Sequence, residues 1–255
     1  MRALVVVALV GCASPEPRPR HAPHAPLAKP ARSLPGAPTP FVVLDPSVKV
    51  VPLLSADAPS YRYGILDRDA CEAELIRRGV AFDPGTAAGV DAPIRLRGAL
   101  HGVTLHPIVG KRYQVFDCRL ALALDDFAAI VAAHDVTEIT YAYAYRPQSE
   151  YGCTARYRGL QHCGALAVDV REFAHRDGTR LAVARDFHGK LGLGTCAVGV
   201  GPTVRSAKAD ELWSFVCDAA ERALFNVMLT PNYNREHENH FHLEITPEAG
   251  WMMVH

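Results

Sequence analysis

Two segments concentrate the groups able to do chemistry: Gln161-His162-Cys163-Gly164-Ala165-Leu166-Ala167-Val168-Asp169 and His237-Glu238-Asn239-His240-Phe241-His242. His240 and His242 are two residues apart, so in a strand both imidazoles point to one face. Asp169 lies in a run of Ala and Val, a poor place for a carboxylate without a cation or a donor. His162 stands seven residues earlier, at the mouth of the same strand. Two imidazoles and a carboxylate with one position left open are the donor set of a catalytic zinc, which lowers the pKa of a bound water toward about 7. A solvated histidine loop or an adventitious metal site is the plainer reading, and it requires the histidine cluster, the stranded Asp169 and the spaced His162 to coincide.

The elements that must position these groups are legible in outline. Leu66-Asp67 to Gly79 reads as a helix with an Asp cap and a glycine stop, burying Cys71, Leu75 and Ile76. Cys118 to His134 is a second helix with Leu120, Leu124, Phe127 and Val131 on its apolar face, and Glu211 to Val227 a third. Glu138 to Tyr145 and Ala165 to Phe173 read as strands, and Asp177-Gly178 turns the chain into Arg180 to Ala184. His240 to Ile245 is a last short strand. Helices early and strands late predict an α+β domain, with a small antiparallel sheet carrying the metal site and helices flanking it.

Lys+Arg and Asp+Glu both number 27, so bulk charge asks for neither nucleic acid nor an anionic membrane. Residues 1–11 have the form of an export signal: one Arg, then the apolar run Ala3 to Val10. Leu9-Val10-Gly11-Cys12 resembles the lipobox of bacterial lipoproteins, which implies acylation at Cys12. With Ala13 next, the resemblance implies an outer-membrane protein facing the periplasm. Residues 13–40 hold nine prolines, a composition that favours extended polyproline II. Residues 12–45 are therefore expected to be a tether and 46–255 the folded domain. Membrane contact is expected through the lipid anchor only. Six further cysteines (Cys71, Cys118, Cys153, Cys163, Cys196 and Cys217) suit disulfides in an exported chain, with 15 possible connectivities. Nothing in the glycine-rich stretch 189–201 has a nucleotide-binding spacing.

At its chemical residues the chain resembles a known group. His162-x6-Asp169 followed by His240-x-His242 is similar to the zinc signature of the D-alanyl-D-alanine carboxypeptidase and lysostaphin-type metallopeptidases, which include Hedgehog. The closer resemblance is to the bacterial extensin-like C-terminal domain. It is carried by Cys71-Glu72-Ala73-Glu74-Leu75, Ala92-Pro93-Ile94-Arg95-Leu96, Cys118-Arg119-Leu120-Ala121, Tyr145-Arg146-Pro147 and Pro231-Asn232-Tyr233-Asn234, and it spans about residues 65–246. The resemblance implies a Hedgehog-like fold and zinc on His162, Asp169 and His242. It implies that His240 orients the site or stabilises an oxyanion. It also implies that His237 serves as a base, with Glu238 as a lesser candidate, and that Arg146 grips a substrate carboxylate, as a guanidinium fork can. Peptidoglycan stem peptides are the implied substrates. The chain departs from the pattern at Gln161 (usually Ser), Ala165 (usually Gly) and Asn239 (usually Asp or Glu). An amide at 239 cannot take a proton; a non-catalytic, zinc-containing wall-binding protein is the alternative this suggests.

Overall fold

The structure is a computed structural model that describes residues 53–108, 110, 113–147, 153 and 161–255. The expected signal, the tether and Cys12 lie outside the described residues. In chain order come helices α1 (Pro59–Gly64) and α2 (Arg68–Arg77), strands β1 (Phe82–Pro84), β2 (Pro93–Leu96), β3 (Thr104–Pro107) and β4 (Phe116–Asp117), and helix α3 (Cys118–Ala132). Strand β5 (Val136–Tyr141), strands β6 (Ala167–His175) and β7 (Arg180–Ala182), and helices α4 (Val183–Asp186) and α5 (Ala207–Glu221) follow. Strands β8 (Val227–Leu229), β9 (Phe241–Glu244) and β10 (Met253–Val254) close the chain. The α+β class holds. The strand order β10-β8-β9-β6-β5-β3, with β7 also on β6, makes one seven-stranded sheet, and β1-β2-β4 a second of three strands. The larger sheet is mixed rather than small and antiparallel: β3 runs parallel to β5 and β10 to β8, while the central β5, β6, β9 and β8 are antiparallel.

The helix starts follow from their caps. Asp67 accepts a hydrogen bond from the Ala70 amide at 2.9 Å, and Asp117 accepts one from the Arg119 amide at 3.0 Å. The fully buried Asp117 is also held by the Arg119 guanidinium through both oxygens at 2.8 and 2.9 Å, so the charge at the start of α3 is neutralised where it is desolvated. Helix α3 is buried on nearly every side, not on one face, because α1, α2, α5 and the large sheet all pack against it. Helix α5 differs from its expected span of 211–227. It starts at Ala207, four residues earlier, capped by Ser206, which accepts from the Ala209 amide at 3.1 Å, and it stops at Glu221, just before Ala223 turns left-handed at φ 50°. Val227 to Leu229 instead pair with β9.

The six cysteines pair as Cys71–Cys118, Cys153–Cys163 and Cys196–Cys217. The first closes a 47-residue separation and ties α2 to the start of α3; loop-closure entropy puts its contribution at about 4 kcal/mol. The second fixes the turn that carries His162.

Candidate metal centre

Strands β6 and β9 pair in antiparallel register with Asp169 opposite His242. Residues directly opposite share a face, so the carboxylate and the imidazole meet by construction. The alternate positions Val168, Val170, Phe241 and Leu243 go to the other face and are essentially fully buried in the core. The core therefore fixes the register, and a slip of one residue would send Asp169 and His242 into the apolar layer.

His162 arrives on the 3-10 turn Gln161–Gly164. Gln161 and Ala165, bracketing that turn, are left-handed at φ 48° and 55°. Glycine is the residue that adopts this conformation without strain, which accounts physically for a glycine at position 165 in the resembled pattern. The Ala165 methyl gains packing in return, in a small cluster with Val90, Val115 and Tyr145. The His162 carbonyl accepts the Arg146 amide at 2.9 Å, so the two residues are fixed to each other through the backbone.

Three imidazole nitrogens converge on one carboxylate oxygen. Asp169 Oδ1 lies 3.1 Å from His162 Nε2, 3.2 Å from His242 Nδ1 and 3.3 Å from His240 Nε2. The second oxygen, Oδ2, pairs with Arg146 Nη2 at 3.3 Å, and the guanidinium lies over the Tyr143 ring at 4.6 Å. His162, Asp169, His240 and His242 are all buried. Burial by itself pushes the Asp169 carboxyl up, but His162, His240 and His242 outweigh it and hold the group well below the usual carboxylate range. Burial pushes His162 down, opposed by Asp169. Burial also lowers His242, yet Asp169 and Glu244 together raise it to about 9.

Glu244 went unnoticed in the sequence. Its Oε2 lies 3.0 Å from His242 Nε2, and its Oε1 accepts from the Thr246 hydroxyl at 3.1 Å. The signal is a period-two alternation: His242 and Glu244 lie on one face of β9, and His240 immediately before the strand keeps the same spacing. His242 thus stands between two buried carboxylates. A neutral imidazole carries one N–H and can satisfy only one of them. Either the ring is doubly protonated, or a cation sits between Nδ1 and Asp169 while Nε2–H donates to Glu244, the carboxylate–histidine–metal arrangement.

The donor spacing fits a cation. The ligating atoms of His162, Asp169 and His242 all lie within 4.8 Å of one another, and these three residues could hold a metal ion. With metal–ligand bonds of about 2.0–2.1 Å, the edge of a tetrahedron is about 3.3 Å. The 3.1 and 3.2 Å separations from Asp169 Oδ1 to His162 and His242 match that edge.

The remaining candidates divide. His237, on the 3-10 turn Arg235–His237, is half-buried with its ring 5.1 Å from that of His240 and 5.7 Å from that of His242. Its Nδ1 lies 2.7 Å from Asn234 Oδ1. Burial, then His240 and His242, push its pKa down to about 4. Asn239 places its Oδ1 2.9 Å from His240 Nδ1. Glu238 is exposed, makes no hydrogen bond to the histidines, and lines a neighbouring cavity instead.

A buried His-Asp-His group on the antiparallel centre of a mixed sheet defines an α+β domain with a candidate metal centre. The model of the extensin-like protein C-terminus family matches residues 69–254, and the chain belongs to that family. No curated protein and no solved structure matches the chain.

Proposed function

We propose that this protein is a zinc-dependent peptidase acting on the peptide stems of peptidoglycan, exported and held by a lipid on Cys12 at the outer membrane, facing the periplasm. The observation that carries the reading is the convergence of His162, His240 and His242 on Asp169 Oδ1, a desolvated set of nitrogens and oxygen that a divalent cation completes. Zinc held by His162, Asp169 and His242 would supply Lewis-acid polarisation of a peptide carbonyl and activation of a water.

The chain's own residues then have distinct tasks. Glu244 holds His242 with Nε2–H outward from the metal, leaving Nδ1 to bind. Asn234 accepts from His237 Nδ1–H, which leaves the Nε2 lone pair of His237 to take a proton at the rim of the site. Asn239 holds Nδ1–H of His240 and turns Nε2 toward Asp169. Arg146, about one-third exposed, pairs with Asp169 Oδ2 and steadies the ligand carboxylate, and its positive charge beside the site would attract a substrate carboxylate.

One observation favours a second reading, a zinc-containing binding protein without catalysis. The only carboxylates hydrogen-bonded to the histidine cluster among the described residues are Asp169 and Glu244; the first is committed to the metal and the second to orienting His242, which leaves neither to act as base. Digestion of purified muropeptides, with and without chelator and followed by mass spectrometry, separates the two. Chelator-sensitive loss of a stem residue or a cross-link supports the peptidase. If the zinc-loaded chain leaves every muropeptide intact while Asn239→Asp cleaves, the natural protein is the binder.

A further inference from the structure

Beside the candidate metal centre lies a cavity of about 430 Å³ between the 183–191 segment and the 231–239 segment. Its walls are fixed. Fully buried Asn232 accepts from the Lys190 amide through Oδ1 at 2.7 Å and from the Gly192 amide through its carbonyl at 2.7 Å. The same side chain donates from Nδ2 to Thr195 Oγ1 at 2.9 Å. The approach is so close that a Cβ on Gly189 would lie 2.3 Å from Asn232 Oδ1. The floor is equally fixed: Phe187 stacks on Trp213 with centroids 4.9 Å apart, and its carbonyl accepts Trp213 Nε1–H at 2.9 Å. Preformed cavities of about 300–1,000 Å³ with an apolar floor and a few polar groups are the usual form of small-ligand sites.

The polar groups are of both signs. Arg185 is committed to Asp186 by contacts of 2.9 and 2.7 Å. Arg235 and Glu238, by contrast, are exposed on the cavity wall and make no ion pair or side-chain hydrogen bond among the described residues. Leu191 and Pro231 supply apolar surface between the walls, above the fully buried Phe187. A ligand that matches has a methylene chain ending in an ammonium and a carboxylate. The cavity also borders the metal group, since Asn239 lines it and is bonded to His240, whose Nε2 faces Asp169.

We propose that this cavity is the subsite for a peptide residue whose side chain ends in an amino-acid head, as in 2,6-diaminopimelate, with the carboxylate on Arg235 and the ammonium on Glu238. The inference rests on the reading that the substrate is a wall peptide, and it extends that reading to which stem residue is selected.

The test is calorimetric titration of the full chain, stripped of metal by chelator, with three Ala-X dipeptides in which X is 2,6-diaminopimelate, lysine or norleucine. Binding is expected to weaken in that order. Arg235→Ala lowers the affinity of the diaminopimelate peptide about fivefold, to that of the lysine peptide, and leaves the lysine peptide unchanged. Glu238→Gln removes the advantage of lysine over norleucine. Equal binding of all three peptides, no binding at millimolar concentration, or indifference to both substitutions overturns the proposal. Because the titration uses neither metal nor turnover, selective binding by a chain that cleaves nothing would leave the subsite standing and sink the peptidase.

Discussion

Glu244→Gln isolates one charge in the metal centre. Glutamine keeps the volume, its amide oxygen can still accept from His242 Nε2 at the 3.0 Å separation, and its amide nitrogen can face the Thr246 hydroxyl in place of Oε1. What is lost is the negative charge behind the ligand. A hydrogen bond to a charged group contributes about 1.5–3 kcal/mol against about 1 for a neutral one. The difference, about 0.5–2 kcal/mol, corresponds to a loss of metal affinity of about two- to thirtyfold, centred near tenfold, where the range expected for a residue that orients a ligand begins. The assay is zinc competition against a chromogenic chelator at fixed pH, with thermal unfolding of the chelated protein as a check on folding. A dissociation constant within twofold of the natural chain's would refute the role given to Glu244, and with it the claim that His242 binds through Nδ1.

Three further outcomes follow from the same geometry. In chelated protein His242 is raised from its ordinary 6.5 to about 9, so its contribution, about 3 kcal/mol, is complete below pH 6.5 and disappears as pH rises to 9; Tm should fall across that window. His162 and His237 are lowered, so their contribution is present above pH 6.5 and is lost in acid. Saturating zinc should abolish the alkaline fall, because bound His242 carries no proton at Nδ1, and a Tm of chelated protein flat between pH 6.5 and 9 would contradict this. Gly189→Ala, with its Cβ against Asn232 and Phe187, should cost about 1–3 kcal/mol, a Tm drop of about 2–12 °C; an unchanged Tm would show that the two cavity walls are not clamped. Arg146→Met should raise KM for a peptide with a free carboxylate near the scissile bond more than for its amide, and equal effects on both would remove the substrate contact from Arg146.

The chemistry was easier to see in the sequence than the scaffold. His240, His242 and Asp169 are legible because a strand alternates with period two and because a carboxylate among Ala and Val demands an explanation. The same alternation reaches Glu244, which is hidden only by its being an ordinary surface residue type. Strands β1 to β4 span two to four residues each, too short for periodicity to register; they exist through pairing with distant segments. The start of β6 is delayed to Ala167 by the left-handed Ala165, a conformation that alanine does not announce. His237 turns toward the histidine cluster and Glu238 toward the cavity because a 3-10 turn at Arg235–His237 precedes β9, and nothing in the residue types announces that turn. Disulfide connectivity is a property of the folded chain: packing α2 on α3 selects Cys71–Cys118 and reduces 15 pairings to three, and the turn at His162 and helix α5 select the other two bonds.

The most direct test of the metal centre is elemental analysis of the purified protein beside His162→Ala. His162 supplies a ligand from a turn outside the β6–β9 pair, so its loss should leave the strands paired while opening the site. About one zinc per natural chain, and much less than one in a His162→Ala protein of unchanged fold, is the predicted result. No metal in the natural chain, even after zinc is offered, would contradict the account.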